Sequence, residues 1–224
     1  MNTNLTVLTE DQEVNIPSWV VDLVSFRRWS DQEDFPDTGR IGYIRGKVWL
    51  DMGKEQLFTH IQVKDEFTEV LRRLVRKNKL GLYFSDGLFL TNVPADISGN
   101  PDGTFISNES LATARVRLLE GAKGGYTEVE GSPDMVLEVV SRSSVRKDTK
   151  VLHEVYWDAG IQEYWLVDAR KPALRFDIFR HTAKGYVSSP KQAGWLNSKV
   201  FGKSFRLAQS KGPMGYPKFT LKIR

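Results

Sequence analysis

Glu138 is the residue in this sequence that most needs a chemical explanation. It interrupts Met135–Val140 (MVLEVV), an otherwise unbroken apolar run of strand length. Such a run suits a strand covered on both faces, and a carboxylate buried there is costly unless something binds it. The binder has few forms available. With no cysteine and three isolated histidines, thiolate and histidine-rich metal sites are excluded. Any metal would be a hard cation on carboxylates. The alternative is an ion pair, for which Arg142 is the nearest arginine. Asp134 shares a strand face with Glu138, but four residues separate them by ~13 Å. It is therefore a capping or supporting group rather than a co-ligand. Basic residues cluster at Arg72, Arg73, Arg76, Lys77 and Lys79, and again at Arg142, Arg146, Lys147 and Lys150. Each cluster reads either as a solvated helix face or as a set of phosphate contacts. Gly202-Lys203-Ser204 is not a phosphate loop, because the glycine required five residues upstream is Asn197. No G-x-S-x-G elbow is present.

The elements around Glu138 follow from periodicity. After Met135–Val140, Ser143 or Ser144 can cap a helix whose stripe is Val151, Leu152, Val155, Tyr156 and Ala159, with Gly160 as its stop. Glu163–Asp168 (EYWLVD) is a second strand. Upstream, Met1–Asn15 is polar and expected to lack regular structure. Pro17 opens a short helix through Trp29, and Asp31–Thr38 is a loop. Gly39–Met52 forms a hairpin turning near Arg45-Gly46. Lys54–Asn78 is an amphipathic helix with Phe67, Val70, Leu71, Leu74 and Val75 on one face. Leu82–Val93 is expected as one strand, and Asn100–Ile106 starts another. The segment 108–131 reads as a helical or looped start followed by a hairpin, punctuated by Gly121, Gly124 and Gly125. Leu174–Arg180, Gly185–Val187, Lys199–Leu207 and Phe219–Ile223 complete an antiparallel tail. The whole is α+β or mixed α/β.

Composition bounds the rest. A chain of 224 residues that is 40% hydrophobic, with six Trp and twelve Phe, supports one sizeable core. No apolar run approaches the ~18 residues a membrane helix needs, and no signal-peptide pattern opens the chain. A soluble cytoplasmic protein is expected. The formal charge of +4 permits nucleic-acid binding without demanding it.

The pattern PDMVLEVVS (Pro133-Asp134 with Glu138), Tyr156 with Ala159-Gly160, and EYWLVD resembles the Uma-type restriction endonuclease family, a branch of the PD-(D/E)xK nuclease superfamily. The likeness extends more loosely to Gly39–Met52, His60 and Pro101-Asp102, and so covers about Gly39 to Arg180. It implies a restriction-endonuclease-like core, a mixed central sheet flanked by helices, with extra N-terminal and inserted hairpins. Residues 1–38 would then be an N-terminal extension with a short helix, and 39–224 one endonuclease-like domain. The resemblance also implies that Asp102 and Glu138 hold Mg²⁺ or Mn²⁺ from neighbouring antiparallel strands, whose side chains lie ~5 Å apart at Cβ. On its own residues, Asp102 in Asn-Pro-Asp-Gly equally suits an Asx turn. His60 matches a family histidine, with a hydrogen-bonded core residue as the alternative, and Glu66 is a candidate helix carboxylate near the metal.

The sequence departs from the family at the lysine. The two usual positions are Val140 and Leu152. Lys150 is the candidate to meet the scissile phosphate, with Lys147 and Arg142 nearby; Lys150 lies about 200° from Leu152 around a regular helix. The expected function is Mg²⁺-dependent hydrolysis of phosphodiester bonds in nucleic acid, DNA first, with a homodimer as a natural way to cut two strands. The rival is an inert nuclease scaffold that binds nucleic acid or a partner.

Overall fold

The computed structural model describes residues 5–8, 13–36, 39–51, 53–121 and 124–224. In chain order, β1 (Leu5–Leu8) and β2 (Glu13–Ile16) form a hairpin, and α1 (Leu23–Ser30) follows. β3 (Arg40–Ile44) and β4 (Lys47–Asp51) form a second hairpin. α2 (Gln62–Asn78) leads to β5 (Gly81–Ser85), β6 (Phe89–Asn92), β7 (Ile97–Gly99) and β8 (Gly103–Ser107). The short α3 (Asn108–Ala112) precedes β9 (Val116–Glu120), β10 (Tyr126–Gly131) and β11 (Met135–Val139). α4 (Leu152–Asp158) crosses to β12 (Glu163–Asp168). The tail adds β13 (Arg175–Thr182), β14 (Gly185–Ser188), β15 (Lys191–Gln192), β16 (Trp195–Ser198), β17 (Lys203–Lys211) and β18 (Pro217–Ile223). Among the described residues no helix is long and apolar enough to cross a membrane.

The sheet that carries Glu138 runs β14-β13-β12-β11-β8-β5. Its mixed character comes from one parallel pair, β11 with β12, joined across α4. All five residues of β11 are buried. The period of two in a strand sorts them onto two faces. Met135, Leu137 and Val139 pack with Val63, Phe67 and Leu71 of α2. Val136 and the following Val140 pack with Leu152, Val155 and Tyr156 of α4, so Glu138 points to the α4 side. A second six-stranded sheet, β4-β3-β7-β6-β10-β9, takes α1, whose Phe26 and Trp29 cluster with Ile41 and Tyr43 of β3.

Four expectations change. The N-terminal helix begins at Leu23 behind an Asp22 cap rather than opening at Pro17. The stretch Leu82–Val93 is two strands in two different sheets. The chain breaks at Asp86 and Gly87, both at positive φ (32° and 76°), and the Asp86 carboxylate bonds to Arg40 and Lys64 there. Within Met1–Asn15, residues 5–8 and 13–16 pair as β1 and β2, because Val14 and Ile16 are buried with Leu23 and Trp29. The long helix starts late, after a wide π-turn at Leu57–Ile61. Residues 1–4 and 9–12 of the N-terminal stretch, 37–38 of the expected loop, Met52 and 122–123 lie outside the described residues.

The tail sheet covers the α2 side of the core with Leu196, Phe205, Phe219 and Leu221. Glu163 at the head of β12 ties it down. Its carboxylate accepts from Ser198 Oγ (2.6 Å), Trp165 Nε1 (2.9 Å) and the Lys199 and Val200 amides (2.6 and 3.3 Å). Removing one partner of a buried charged network leaves the others desolvated and unpaired. Glu163→Ala is therefore expected to lower unfolding free energy by about 3 kcal/mol, read by urea titration, and a loss under ~0.5 kcal/mol would contradict the tie.

Candidate active site

β8 and β11 set the distance between the two acids. Their register pairs Val136 with Thr104 and Leu137 with Gly103, and one further step brings Asp102 opposite Glu138. Gly103 has to be a glycine here, since a Cβ would lie 2.6 Å from the Tyr83 hydroxyl and 3.3 Å from Leu137 Cβ. Asp102 and Glu138 are each 2% exposed. The Val139 amide donates to Asp102 Oδ2 at 2.7 Å, and Arg40 Nη1 donates to Oδ1 at 2.7 Å. The Tyr156 hydroxyl donates to Glu138 Oε1 at 2.7 Å. Burial, then the charges of Asp148 and Asp102, push the Glu138 carboxyl well above the usual range, while Lys147 opposes them.

The helix after β11 is capped by Ser141, whose Oγ accepts from the Ser144 amide at 3.0 Å, rather than by Ser143 or Ser144. It then widens into a π-turn at Lys147–Val151. An inserted π-turn shifts the side-chain register relative to a regular helix and often lies at a functional site. Asp148 is 1% exposed. Ser144 Oγ donates to its Oδ2, while its buried Oδ1 has no hydrogen-bond partner among the described residues. Burial raises its pKa to about 6 against the opposing charge of Lys147. Lys147 Nζ lies 3.6 Å from Asp148 Oδ1. Burial disfavours its ammonium, but Glu138, Asp148 and Asp102 outweigh that and hold it charged.

A second charged group supports Asp102 from the other side. Arg40 also reaches Asp86 (2.8 Å) and Glu55 (2.9 Å). Lys64 Nζ meets Glu55 and Asp86, each at 2.8 Å, and stands 3.9 Å from Asp102. His60, buried on the first π-turn, has Nδ1 3.3 Å from Glu55 Oε2 and Nε2 3.9 Å from Asp102 Oδ2.

A cavity of about 1030 Å³ gathers these groups, with Asp102, Glu138, His60, Lys147, Asp148 and Arg142 in its wall. The structure thus brings together five of the residues singled out in the sequence and adds Asp148, Asp51, Arg40, Glu55 and Asp86 around the same space. Three others are placed elsewhere. Lys150 is exposed and does not line the cavity. Glu66 accepts from the Leu221 amide at 2.7 Å and holds β18. Asp134 accepts from the Ser107 amide (2.6 Å) and Ser110 Oγ (2.8 Å) at the far end of β11. Glu138 is paired with Tyr156, not with Arg142.

Among the described residues no three carboxylates or imidazoles converge closely enough to hold a metal by themselves. The pair Asp102 and Glu138 nevertheless fits a hard cation that keeps water or phosphate oxygens in its remaining positions, as Mg²⁺ does. The orphaned Oδ1 of Asp148 and the mutual repulsion around Glu138 fit a missing positive charge as well.

The model of the family described as "Uma2: Putative restriction endonuclease" matches residues 23–208. A crystal structure described as a putative nuclease belonging to DUF820, from Anabaena variabilis ATCC 29413, superposes with a TM-score of 0.60 at 18% identity. That match covers 81% of this chain and 91% of the other; at such identity it establishes a shared fold. No curated protein matches the chain significantly.

The Asp148 shift has a testable sign. With a folded pKa of about 6 against an ordinary value of 3.8, the folded state holds the proton more tightly. The resulting stability is present below pH ~4 and lost as pH rises through ~6. In EDTA at pH 8, Asp148→Asn is expected to unfold about 3 °C or more above wild type, with the gap closing toward pH 4. Calorimetry that finds the variant less stable at pH 8 would refute the assignment.

Proposed function

The chain belongs to the Uma2 family, and from that premise we propose that it is a metal-dependent nuclease that hydrolyses phosphodiester bonds in nucleic acid, DNA in the first instance. The absence of cysteine suits work in the reducing cytoplasm. The observation that carries the reading is the opposition of Asp102 and Glu138 on adjacent strands, with the Lys147 ammonium on the π-turn above them, inside one cavity. Asp102 and Glu138 would hold Mg²⁺ or Mn²⁺, which when bound supplies Lewis acidity at the phosphoryl oxygen and acidifies water. The remaining work belongs to the chain. Arg40 and the Val139 amide fix the orientation of Asp102, and the Tyr156 hydroxyl fixes Glu138. Lys147, kept protonated by the surrounding carboxylates, faces the charge that develops on the phosphate. It takes the part that Val140 and Leu152 cannot, and Lys150 is too far around the helix to share it. Arg142 and Lys54 draw the backbone toward the cavity mouth.

A second reading is favoured by one feature. Asp102 already has both oxygens occupied, by Arg40 and the Val139 amide, as in a scaffold that has replaced metal by a fixed cation. Salt-sensitive binding without turnover is its signature.

Cleavage of labelled oligonucleotides with Mn²⁺ separates the two. Glu138→Gln and Asp102→Asn are expected to lose at least about 100-fold in rate, and Lys147→Met about 10²–10³-fold, the scale of removing one transition-state charge contact. Lys150→Ala is expected within twofold of wild type. Unchanged cleavage by Glu138→Gln would end the proposal.

A further inference from the structure

β11 and β12 are the parallel pair of their sheet, with Val139 opposite Val167, and the chain leaves both strands at the same cavity. Ligands of parallel strands collect at such carboxyl ends. β11 sends Val140, Ser141 and Arg142 into the cavity wall, and β12 sends Arg170. Leu166 stands opposite Glu138, so Arg170 follows four residues past the level of the acids, up to ~13 Å of chain. Its guanidinium is held in place. Nε donates to Asp168 Oδ1 at 2.9 Å and Nη2 to Oδ2 at 2.8 Å, while the Arg170 amide donates to Oδ1 at 3.1 Å. The hydrogen bond from Asp168 raises the Arg170 pKa against burial, and the charge of Asp148 adds to it. The third nitrogen, Nη1, has no hydrogen-bond partner among the described residues. Unlike the ring nitrogens Trp49 Nε1 and His60 Nδ1, it is not sealed from solvent, and the side chain as a whole is 23% exposed.

The neighbouring arginines of that wall differ. Arg40 is taken up by Asp102, Asp86 and Glu55. Arg142 is exposed, and no partner among the described residues fixes it. Arg170 is fixed and still has N–H groups to give. A guanidinium already oriented through two of its nitrogens loses little further rotamer freedom on binding. With Asp168 the pair is neutral as a whole, so it adds little attraction at a distance. At contact it offers directed N–H donors that suit a phosphate oxygen. We propose that Arg170, set in place by Asp168, receives through Nη1 an uncleaved phosphate of the nucleic-acid strand, neighbouring the one that meets Lys147. Arg170 is then a binding residue and Asp168 a positioning residue. The proposal rests on the nuclease reading for its ligand class, but its binding test does not depend on cleavage.

Two arms test it. In EDTA, fluorescence anisotropy with a labelled DNA oligonucleotide compares wild type, Arg170→Ala, Arg170→Lys and Asp168→Ala over a range of salt. With Mn²⁺, cleavage of the same oligonucleotide gives KM and kcat. Arg170→Ala is expected to weaken binding about five- to tenfold and to lower the salt slope by about one. In the second arm it should raise KM and leave kcat within about twofold. Arg170→Lys keeps the charge without the fork and should lose at least about threefold. Asp168→Ala separates position from charge. Removing a carboxylate beside a polyanion strengthens binding if charge alone counts. The proposal instead expects about threefold weakening or more, with no loss beyond that of Arg170→Ala when the two changes are combined. A methylphosphonate scanned along the strand, neutral where a phosphate was, should at one uncleaved position bring wild type and Arg170→Ala to the same affinity. Asp168→Ala binding as well as wild type or better, or an Arg170→Ala deficit that no uncleaved position erases, would overturn the proposal and leave the nuclease reading standing. The expected binding losses with no cleavage of any strand would uphold the phosphate contact and defeat the nuclease reading instead.

Discussion

Glu138 is enclosed in a strand whose five residues are all buried, and its charge must be compensated by whatever the fold brings to the α4 face of the sheet. Two elements answer that demand: α4 supplies the Tyr156 hydroxyl, and the π-turn before it supplies Lys147. The compensation is deliberately incomplete in electrostatic terms. Asp102 and Asp148 add like charge to the same space; Arg40 is paired with Asp102, which leaves the ammonium of Lys147 to serve Glu138 and Asp148 together. Such a group takes up a proton readily and would be receptive to a divalent cation.

The β11–α4–β12 unit was legible because each of its signals is local. An apolar run, a helical stripe ending at Gly160 and an aromatic second strand are all set by residues adjacent in sequence, and Glu138 stood out against that background. The pairing of β8 with β11 was reachable only through the family resemblance, since Pro101-Asp102-Gly103 marks a strand start but not its partner. The lysine was not. Lys150 is close to Leu152 in sequence yet about 200° from it on a regular helix, the π-turn at Lys147–Val151 brings Lys147 to the cavity wall instead, and no residue type announces a π-turn. The same limit hid Asp148, which in sequence is one charge within a run of charges.

The split of Leu82–Val93 illustrates a different limit. Both halves have strand composition, and Asp86-Gly87 is compatible with a bulge as well as a break. What decides is tertiary. Arg40 and Lys64 need a carboxylate where the chain passes from one sheet to the other, and Asp86 at positive φ provides it. Glu66 shows the reverse case. The helix carboxylate expected near the metal is here taken up by the backbone of β18, because the tail sheet lies against α2.

A cation site formed by the acids around Glu138 is open to titration calorimetry with Mn²⁺. Wild-type protein and Glu138→Gln are compared in two buffers of different ionisation enthalpy. Wild type is expected to bind Mn²⁺ with release near pH 6 of the proton on the Asp148 carboxyl, whose pKa burial raises to about 6, and the variant to lose the binding and with it that release. Equal Mn²⁺ binding by the two proteins, or binding by wild type without proton release near pH 6, would contradict such a site.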